Sequence, residues 1–164
     1  MTRNVLFLCT GNSARSILAE AIINQKGTGR FKAYSAGSHP RGVPNPLAIE
    51  LLEQEGHDVS GLRSKSWTEF AALDAPFLHC VITVCDNAKG ETCPIWPGHP
   101  IQTHWGIPDP AGMQDDGRPE DFRIAYDRLS RRVDAMLKLD EDQLDARDWR
   151  DALTAIGRNS EGAT

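Results

Sequence analysis

The sequence has little of what would place it in a membrane, on nucleic acid or among secreted proteins. No run of eighteen apolar residues occurs, so no transmembrane helix is predicted. Acidic residues outnumber basic ones by 23 to 18, and no basic stripe is present, which argues against a nucleic-acid partner. The apolar stretch Val5–Leu8 is too short for a signal peptide, and we therefore expect a cytoplasmic protein.

Cysteine, tyrosine and repeated segments are also scarce. Four cysteines and two tyrosines occur among 164 residues, and no internal repeat or low-complexity segment is present. In a cytoplasmic chain these cysteines are expected to be reduced thiols, so apolar packing must hold the fold together. Hydrophobic residues make up 40% and charged residues 25%, as in an ordinary soluble domain. Because no long apolar seam is left free, we expect a monomer.

The acidic excess lies at the C-terminal end of the chain. Positions 139–164 carry seven acidic and three basic residues, whereas positions 1–138 are nearly neutral. We therefore divide the chain into a main domain over 1–138 and an acidic helix and tail over 139–164. Trp149 is expected to dock the tail helix on the main domain.

Short apolar runs alternate with helical patterns along the chain. The predicted strands are 4–9, 31–36, 78–84 and 101–105, and the predicted helices are 14–25, 46–54, 67–73, 118–137 and 142–156. This alternation predicts an α/β fold of three layers, with a four-stranded parallel sheet and helices on both faces. Ligands bind such sheets beyond the carboxyl ends of the strands, which is where Cys9, Ser35, Cys85 and Trp105 fall.

The turn after the first predicted strand has the composition of an anion-binding loop. Residues 9–16 read Cys-Thr-Gly-Asn-Ser-Ala-Arg-Ser and lead into a helix, whose N-terminus gathers backbone N–H groups. Gly11 permits close approach of a ligand, and Asn12 tolerates a left-handed conformation. Arg15 offers a planar fork to two oxygens of a tetrahedral oxyanion, and with the helix dipole it favours the thiolate of Cys9. The predicted oxyanion-binding residues are Thr10, Gly11, Asn12, Ser13, Ala14, Arg15 and Ser16.

Asp109 is the predicted proton donor. A thiolate that attacks a tetrahedral oxyanion needs an acid to protonate the leaving oxygen. Asp109 lies between Pro108 and Pro110, after the fourth predicted strand, and the two prolines limit its motion. An Asp-Pro pair alone more often indicates a turn. Together with the cysteine loop, the Asp-Pro pair indicates that Asp109 is a general acid.

These motifs resemble the low-molecular-weight protein tyrosine phosphatase superfamily, and more closely its arsenate reductase branch. The resemblance rests on VLFLCTGNSARS, on the Asp-Pro pair in HWGIPDPAG and on the strand order, and it covers residues 4–137. It implies the fold of that superfamily and arsenate as the substrate, with phosphate or sulfate as mimics. It also implies that Cys9, Arg15 and Asp109 are the catalytic residues.

Cys85 and Cys93 match the two additional cysteines of that reductase branch, with one residue more between them than expected. The resemblance implies a relay in which Cys85 attacks the Cys9 sulfur and Cys93 then attacks Cys85. Such an enzyme binds no cofactor and depends on an external thiol reductant. Thioredoxin is the partner that the resemblance favours, and a glutathione–glutaredoxin system is the second candidate.

Other interpretations stay open. Cys85 and Cys93 could be inert buried cysteines, as we expect Cys80 inside the third predicted strand to be. We predict no metal, since the available ligands lack paired C-x-x-C spacing; these ligands are His79, Cys80, Cys85, Cys93 and His99. The alternative function is a phosphatase for phosphotyrosine or a small phosphoester, in which water hydrolyses a phosphocysteine. A third is an oxyanion-binding protein without catalysis.

Overall fold

The computed structural model describes residues 2–84, 96–111 and 117–159, and within these ranges it contains a four-stranded parallel sheet. The strands are β1 (Arg3–Leu8), β2 (Phe31–Ala36), β3 (Cys80–Thr83) and β4 (Ile101–His104), in the order β2-β1-β3-β4. The helices are α1 (Arg15–Lys26), α2 (Pro46–Gln54), a single-turn 3₁₀ helix (Trp67–Phe70), α3 (Pro119–Leu137) and α4 (Ala146–Asn159). The predicted α/β class with a parallel sheet is confirmed.

Alternate side chains of β1 enter two different apolar cores, as the pleat of a strand requires. Val5 and Phe7 pack into the larger core, to which all four α-helices contribute. Leu6 and Leu8 pack into a smaller core on the opposite face, which Phe70 of the 3₁₀ helix covers. The sheet is therefore buried on both faces, which explains why β1 is apolar without alternation.

Capping side chains set several helix ends. Asn45 accepts a hydrogen bond from the backbone N–H of Leu47 at 2.8 Å, and so caps α2. Ser66 caps the 3₁₀ helix, which ends at Phe70 rather than at the predicted residue 73. The helix predicted over 142–156 begins only at Ala146, since the carboxylate of Asp145 accepts from the N–H of Asp148 at 2.7 Å.

The acidic C-terminal segment packs on the sheet through its apolar side chains. Trp149 stacks on Phe31 with ring centroids 6.3 Å apart, which confirms its expected docking role. Leu153 is buried, and its carbonyl accepts from Nε1 of Trp105 at 2.8 Å. The boundary placed at residue 138 therefore separates regions of different charge that share one core. Residues 160–164 of the predicted tail lie outside the described residues. None of the helices described is both long and apolar enough to cross a membrane.

The carboxyl ends of all four strands lie at one edge of the sheet. Leu8 is level with Ala36 on one side and with Thr83 on the other, and Thr83 is level with His104. Cys9 follows Leu8 directly, and its N–H donates to the carbonyl of Ala36 at 3.2 Å. Cys9 therefore stands at the centre of the edge where a parallel sheet binds ligands.

Candidate active site

A pocket of about 210 Å³ lies at this edge of the sheet, over the turn that joins β1 to α1. The loop predicted to bind an oxyanion lines it, and so does Asp109, which is distant in sequence. The described residues that line it are Cys9, Thr10, Gly11, Asn12, Ser13, Ala14, Arg15, His39, Arg41, Asp109 and Ala111. Ser16, also predicted to bind the anion, is fully buried and is not among these residues.

The N-terminus of α1 has the features of an anion site. No described side chain caps its first turn, and no acidic residue occurs there. The first N–H groups of a helix have no partner within the helix, and the helix dipole makes this end electropositive. Since no capping side chain competes for these donors, they are available to an oxyanion next to Cys9.

Asn12 fixes the shape of the loop. Its φ is 44°, in the left-handed region that its residue type predicted. Its side chain is fully buried: Nδ2 donates to Oγ of Ser16 at 2.8 Å, and Oδ1 accepts from the N–H of Lys65 at 2.9 Å. Asn12 therefore ties the loop both to α1 and to the segment before the 3₁₀ helix, and Ser16 serves as an anchor for Asn12.

The carbonyl oxygens of the loop are held from outside by residues that follow β2 and residues that precede the 3₁₀ helix. Because these carbonyls accept hydrogen bonds from the surrounding protein, the backbone of the loop is held in a fixed conformation. The pairs are His39 N–H to Thr10 (2.9 Å), Arg41 N–H to Gly11 (3.0 Å), Ser64 Oγ to Gly11 (3.2 Å) and Asn45 N–H to Ser13 (2.8 Å).

Gly37 lies directly under the loop. A Cβ atom at this position would lie 2.4 Å from the carbonyl oxygen of Thr10 and 2.6 Å from that of Cys9. Both contacts are with backbone, which cannot move aside without changing the loop. The loop therefore depends on a glycine 28 positions after Cys9 in the sequence.

Arg15 and Asp109 meet at the pocket. Nη1 of Arg15 donates to the carbonyl of Ile107 at 3.0 Å, and Nη2 lies 3.4 Å from Oδ2 of Asp109. The Nε atom of Arg15 is buried and has no hydrogen-bond partner in the described part of the chain. Oδ1 of Asp109 accepts from the N–H of Ala111 at 3.0 Å, and this side chain is 48% exposed. The clamp is thus rigid, whereas the carboxylate is open to an incoming anion and to water.

Arg41 and His39 also line the pocket, and neither was among the predicted site residues. Arg41 is exposed, and a Cβ at Gly11 would lie 3.3 Å from its Nε, so its side chain rests on the loop. Within the described ranges, no carboxylate pairs with Arg41. The pocket therefore has a second cation at its mouth, and Asp109 is the one acidic residue among the described lining residues.

The remaining cysteines divide into two groups. Cys80 is fully buried in β3, and burial raises the pKa of its thiol, as expected of an inert core residue. Cys85 and Cys93 lie outside the described residues, so their relay stays a prediction. In the described ranges, no group of three or more His, Cys, Asp and Glu side chains could hold a metal ion.

Phe, Tyr and Trp side chains are missing from the described walls of the pocket. Tyr34 packs against Phe70, and the hydroxyl of Tyr126 is hydrogen-bonded to His57 at 2.6 Å. The lining residues described above include no Phe, Tyr or Trp, and the sequence has none at 85–95 or 112–116. The described pocket therefore offers a tetrahedral anion a cradle and has no Phe, Tyr or Trp ring on which an aryl group could stack.

Comparisons with known proteins agree with this geometry. The family model for low molecular weight phosphotyrosine protein phosphatases matches residues 4–147. The arsenate reductase of Bacillus cereus is 34% identical over 142 residues, which cover 85% of this chain and 97% of that protein. A solved arsenate reductase in its phosphate-binding state has a TM-score of 0.66 and 31% identity, over 80% of this chain and 94% of that one. A thioredoxin-dependent arsenate reductase of Corynebacterium glutamicum has a TM-score of 0.58 and 26% identity, over 78% of this chain and 58% of that one.

Proposed function

The chain belongs to the low molecular weight phosphotyrosine protein phosphatase family, and we propose that within this family it is an arsenate reductase that converts arsenate to arsenite. The observation that carries the proposal is the pocket in which Cys9, Arg15 and Asp109 meet without a Phe, Tyr or Trp side chain among the described walls. Relatives named arsenate reductase support the same assignment.

Arsenate binding uses the loop amides and two arginines. The N–H groups of residues 10–15 surround the oxyanion, and Arg15 offers its Nε and Nη2 as a fork. Arg41 adds positive charge at the mouth of the pocket. Phosphate and sulfate have the same tetrahedral shape and act as competitive mimics.

The first chemical step joins Cys9 to arsenic. The Cys9 thiolate attacks arsenic, an S–As bond forms, and an As–O bond breaks. Asp109 donates a proton to the departing oxygen, which leaves as water, and arsenic stays in the +5 state. Asp109 can turn to this oxygen because the arsenate oxygens replace its carboxylate as the partner of Arg15.

The second and third steps are proposed from the sequence. The Cys85 thiolate attacks the Cys9 sulfur, the S–As bond breaks, and its electron pair stays on arsenic, which leaves as arsenite in the +3 state. The Cys93 thiolate then attacks Cys85, so that a Cys85–Cys93 disulfide forms and the Cys9 thiolate is released. An external dithiol restores the two thiols.

We propose thioredoxin as this reductant, since a thioredoxin-dependent arsenate reductase shares the fold. A glutathione–glutaredoxin system is the alternative. The protein would act as a cytoplasmic monomer without a bound cofactor. If it were instead a phosphatase for small phosphoesters, Cys9, Arg15 and Asp109 would act in the same way on phosphorus, and water would hydrolyse the phosphocysteine.

The relay is tested by arsenate turnover with thioredoxin, thioredoxin reductase and NADPH. The parent enzyme and a Cys80→Ala control are expected to turn over repeatedly, because Cys80 is buried in β3. Cys93→Ser is expected to release one arsenite per chain and then stop, since the Cys9–Cys85 disulfide cannot be passed on. Repeated turnover by Cys93→Ser under these conditions would contradict the relay.

A further inference from the structure

A buried pair of opposite charges lies behind the anion loop, on the side away from the pocket. Nζ of Lys65 is 3.9 Å from Oε1 of Glu20, and the two side chains are only 6% and 12% exposed. Glu20 belongs to α1, and its Oε1 accepts from Oγ of Ser35 in β2 at 2.5 Å. Nζ of Lys65 also donates to the carbonyl of Arg63 at 3.0 Å. Neither charge takes part in the chemistry proposed above.

Each member of this pair partly offsets the burial of the other. Burial lowers the pKa of Lys65 and raises the pKa of Glu20, because removal from water disfavours both charged forms. The opposite charge counteracts burial in both cases. A separation of 3.9 Å is too long for a hydrogen bond, so the two groups are joined by charge.

The backbone of Lys65 connects this pair to the loop. Its N–H donates to Oδ1 of Asn12 at 2.9 Å, and its carbonyl accepts from the N–H of Gly37 at 2.9 Å. Oγ of the preceding Ser64 donates to the carbonyl of Gly11 at 3.2 Å. The place of residues 64 and 65 therefore holds the carbonyl of Gly11 and the side chain of Asn12, two residues that line the pocket.

We propose that Lys65 is a positioning residue: its ammonium group, held by Glu20, fixes the segment that keeps the loop amides directed at the bound oxyanion. The inference deepens the proposed function, since the same loop would bind arsenate. The protein binds an anion with its full affinity only when the ammonium group of Lys65 is present. In a purely structural role, the pair would affect the free energy of unfolding but not the affinity of the folded protein for an anion.

The test measures binding of inorganic phosphate to the folded protein by isothermal titration calorimetry. Lys65→Ala and the more space-filling Lys65→Met are expected to weaken phosphate binding about tenfold, since a buried charge pair is broken next to the loop. Lys26→Met is the matched control. Lys26, in α1, also forms an ion pair, with its Nζ 2.9 Å from Oδ1 of Asp134, but this pair lies at the surface. The control variant is expected to bind phosphate like the parent protein.

Alkylammonium rescue separates positioning from stability. Glu20 lines an open groove of about 460 Å³, so a small amine that enters this groove can approach the carboxylate that Lys65→Ala leaves without its ammonium partner. Propylammonium chloride is expected to restore at least about a third of the lost affinity, whereas choline chloride at the same ionic strength restores none. The Glu20→Gln/Lys65→Ala variant is expected to gain nothing from the amine.

Two results would overturn the proposal. One is a folded Lys65→Met variant that binds phosphate within about twofold of the parent protein. The other is a Glu20→Gln/Lys65→Met variant, neutral at both positions, that binds phosphate like the parent protein. Because phosphate binding requires no arsenate turnover, an enzyme that failed to reduce arsenate would refute the proposed function and leave this measurement intact.

Discussion

Nη2 of Arg15 lies 3.4 Å from Oδ2 of Asp109, so the anion clamp and the proton donor are direct neighbours. Arg15 is held in place by the carbonyl of Ile107, whereas Asp109 is half exposed. An oxyanion bound to Nη2 of Arg15 would therefore lie next to Asp109, whose carboxyl group is placed to protonate an oxygen that leaves.

Asp109→Asn tests the role of this carboxylate. The amide cannot donate a proton to the leaving oxygen as an acid does, so kcat for arsenate is expected to fall about a hundredfold. Phosphate binding is expected to stay equal or become tighter, because a negative charge next to Arg15 is removed. Steady-state kinetics and phosphate titration measure the two effects. A kcat within about threefold of the parent value would contradict the assignment of Asp109 as the acid.

Gly37→Ala tests the support under the loop. The added Cβ would collide with the backbone carbonyls of Thr10 and Cys9, so the loop must shift and kcat/KM is expected to fall about a hundredfold. Gly61→Ala is the matched control, since a Cβ there meets nothing within 4 Å. Both variants are expected to fold, which circular dichroism checks. An active Gly37→Ala enzyme would mean that the loop tolerates movement.

The local parts of the site could be predicted from the sequence, because their chemistry is carried by contiguous residues. The strand–turn–helix pattern around Cys9 and the Asp-Pro pair at Asp109 each indicate their position without knowledge of the fold. The left-handed Asn12 follows from its residue type in a tight turn. The parallel sheet then brings both segments to one edge.

The supporting residues could not be predicted, because nothing local marks them. Gly37 and Arg41 follow β2, and Lys65 lies just before the 3₁₀ helix. These residues contact the loop only because the fold brings both segments next to it. A lysine followed by a serine looks like solvated loop in a sequence, yet Lys65 is buried. The start of α4 was likewise not predictable. The helix begins at Ala146, after the cap at Asp145, rather than at the predicted residue 142.

Arg41→Gln tests the second cation of the pocket. Its exposed guanidinium attracts a dianion with modest strength, so KM for arsenate is expected to rise about fivefold while kcat stays unchanged. The increase should shrink at high salt, because screening weakens exposed charges. Arg150→Gln, which removes the same charge from α4, serves as the control. Equal KM values for the two variants would exclude Arg41 from substrate binding.

The buried His57–Tyr126 pair predicts a pH dependence of stability. Burial lowers the pKa of His57 below its ordinary value of 6.5, so the unfolded chain takes up the proton first as the pH falls. The free energy of unfolding is therefore expected to decrease as the pH falls below about 6.5. The pKa of His79 is lowered as well, so the measurement is the difference between the parent protein and His57→Gln in urea unfolding. Identical slopes against pH in the two proteins would rule out this contribution of His57.

In the proposed reaction, Cys9 and two further thiols reduce arsenate without a cofactor. The most direct measurement counts free thiols before and after one equivalent of arsenate is added to the reduced protein, with no external reductant. Two thiols per chain are expected to be lost, and one arsenite is expected to appear. An unchanged thiol count, together with steady hydrolysis of an aryl phosphate, would rule out arsenate reduction by these thiols and make the protein a phosphatase.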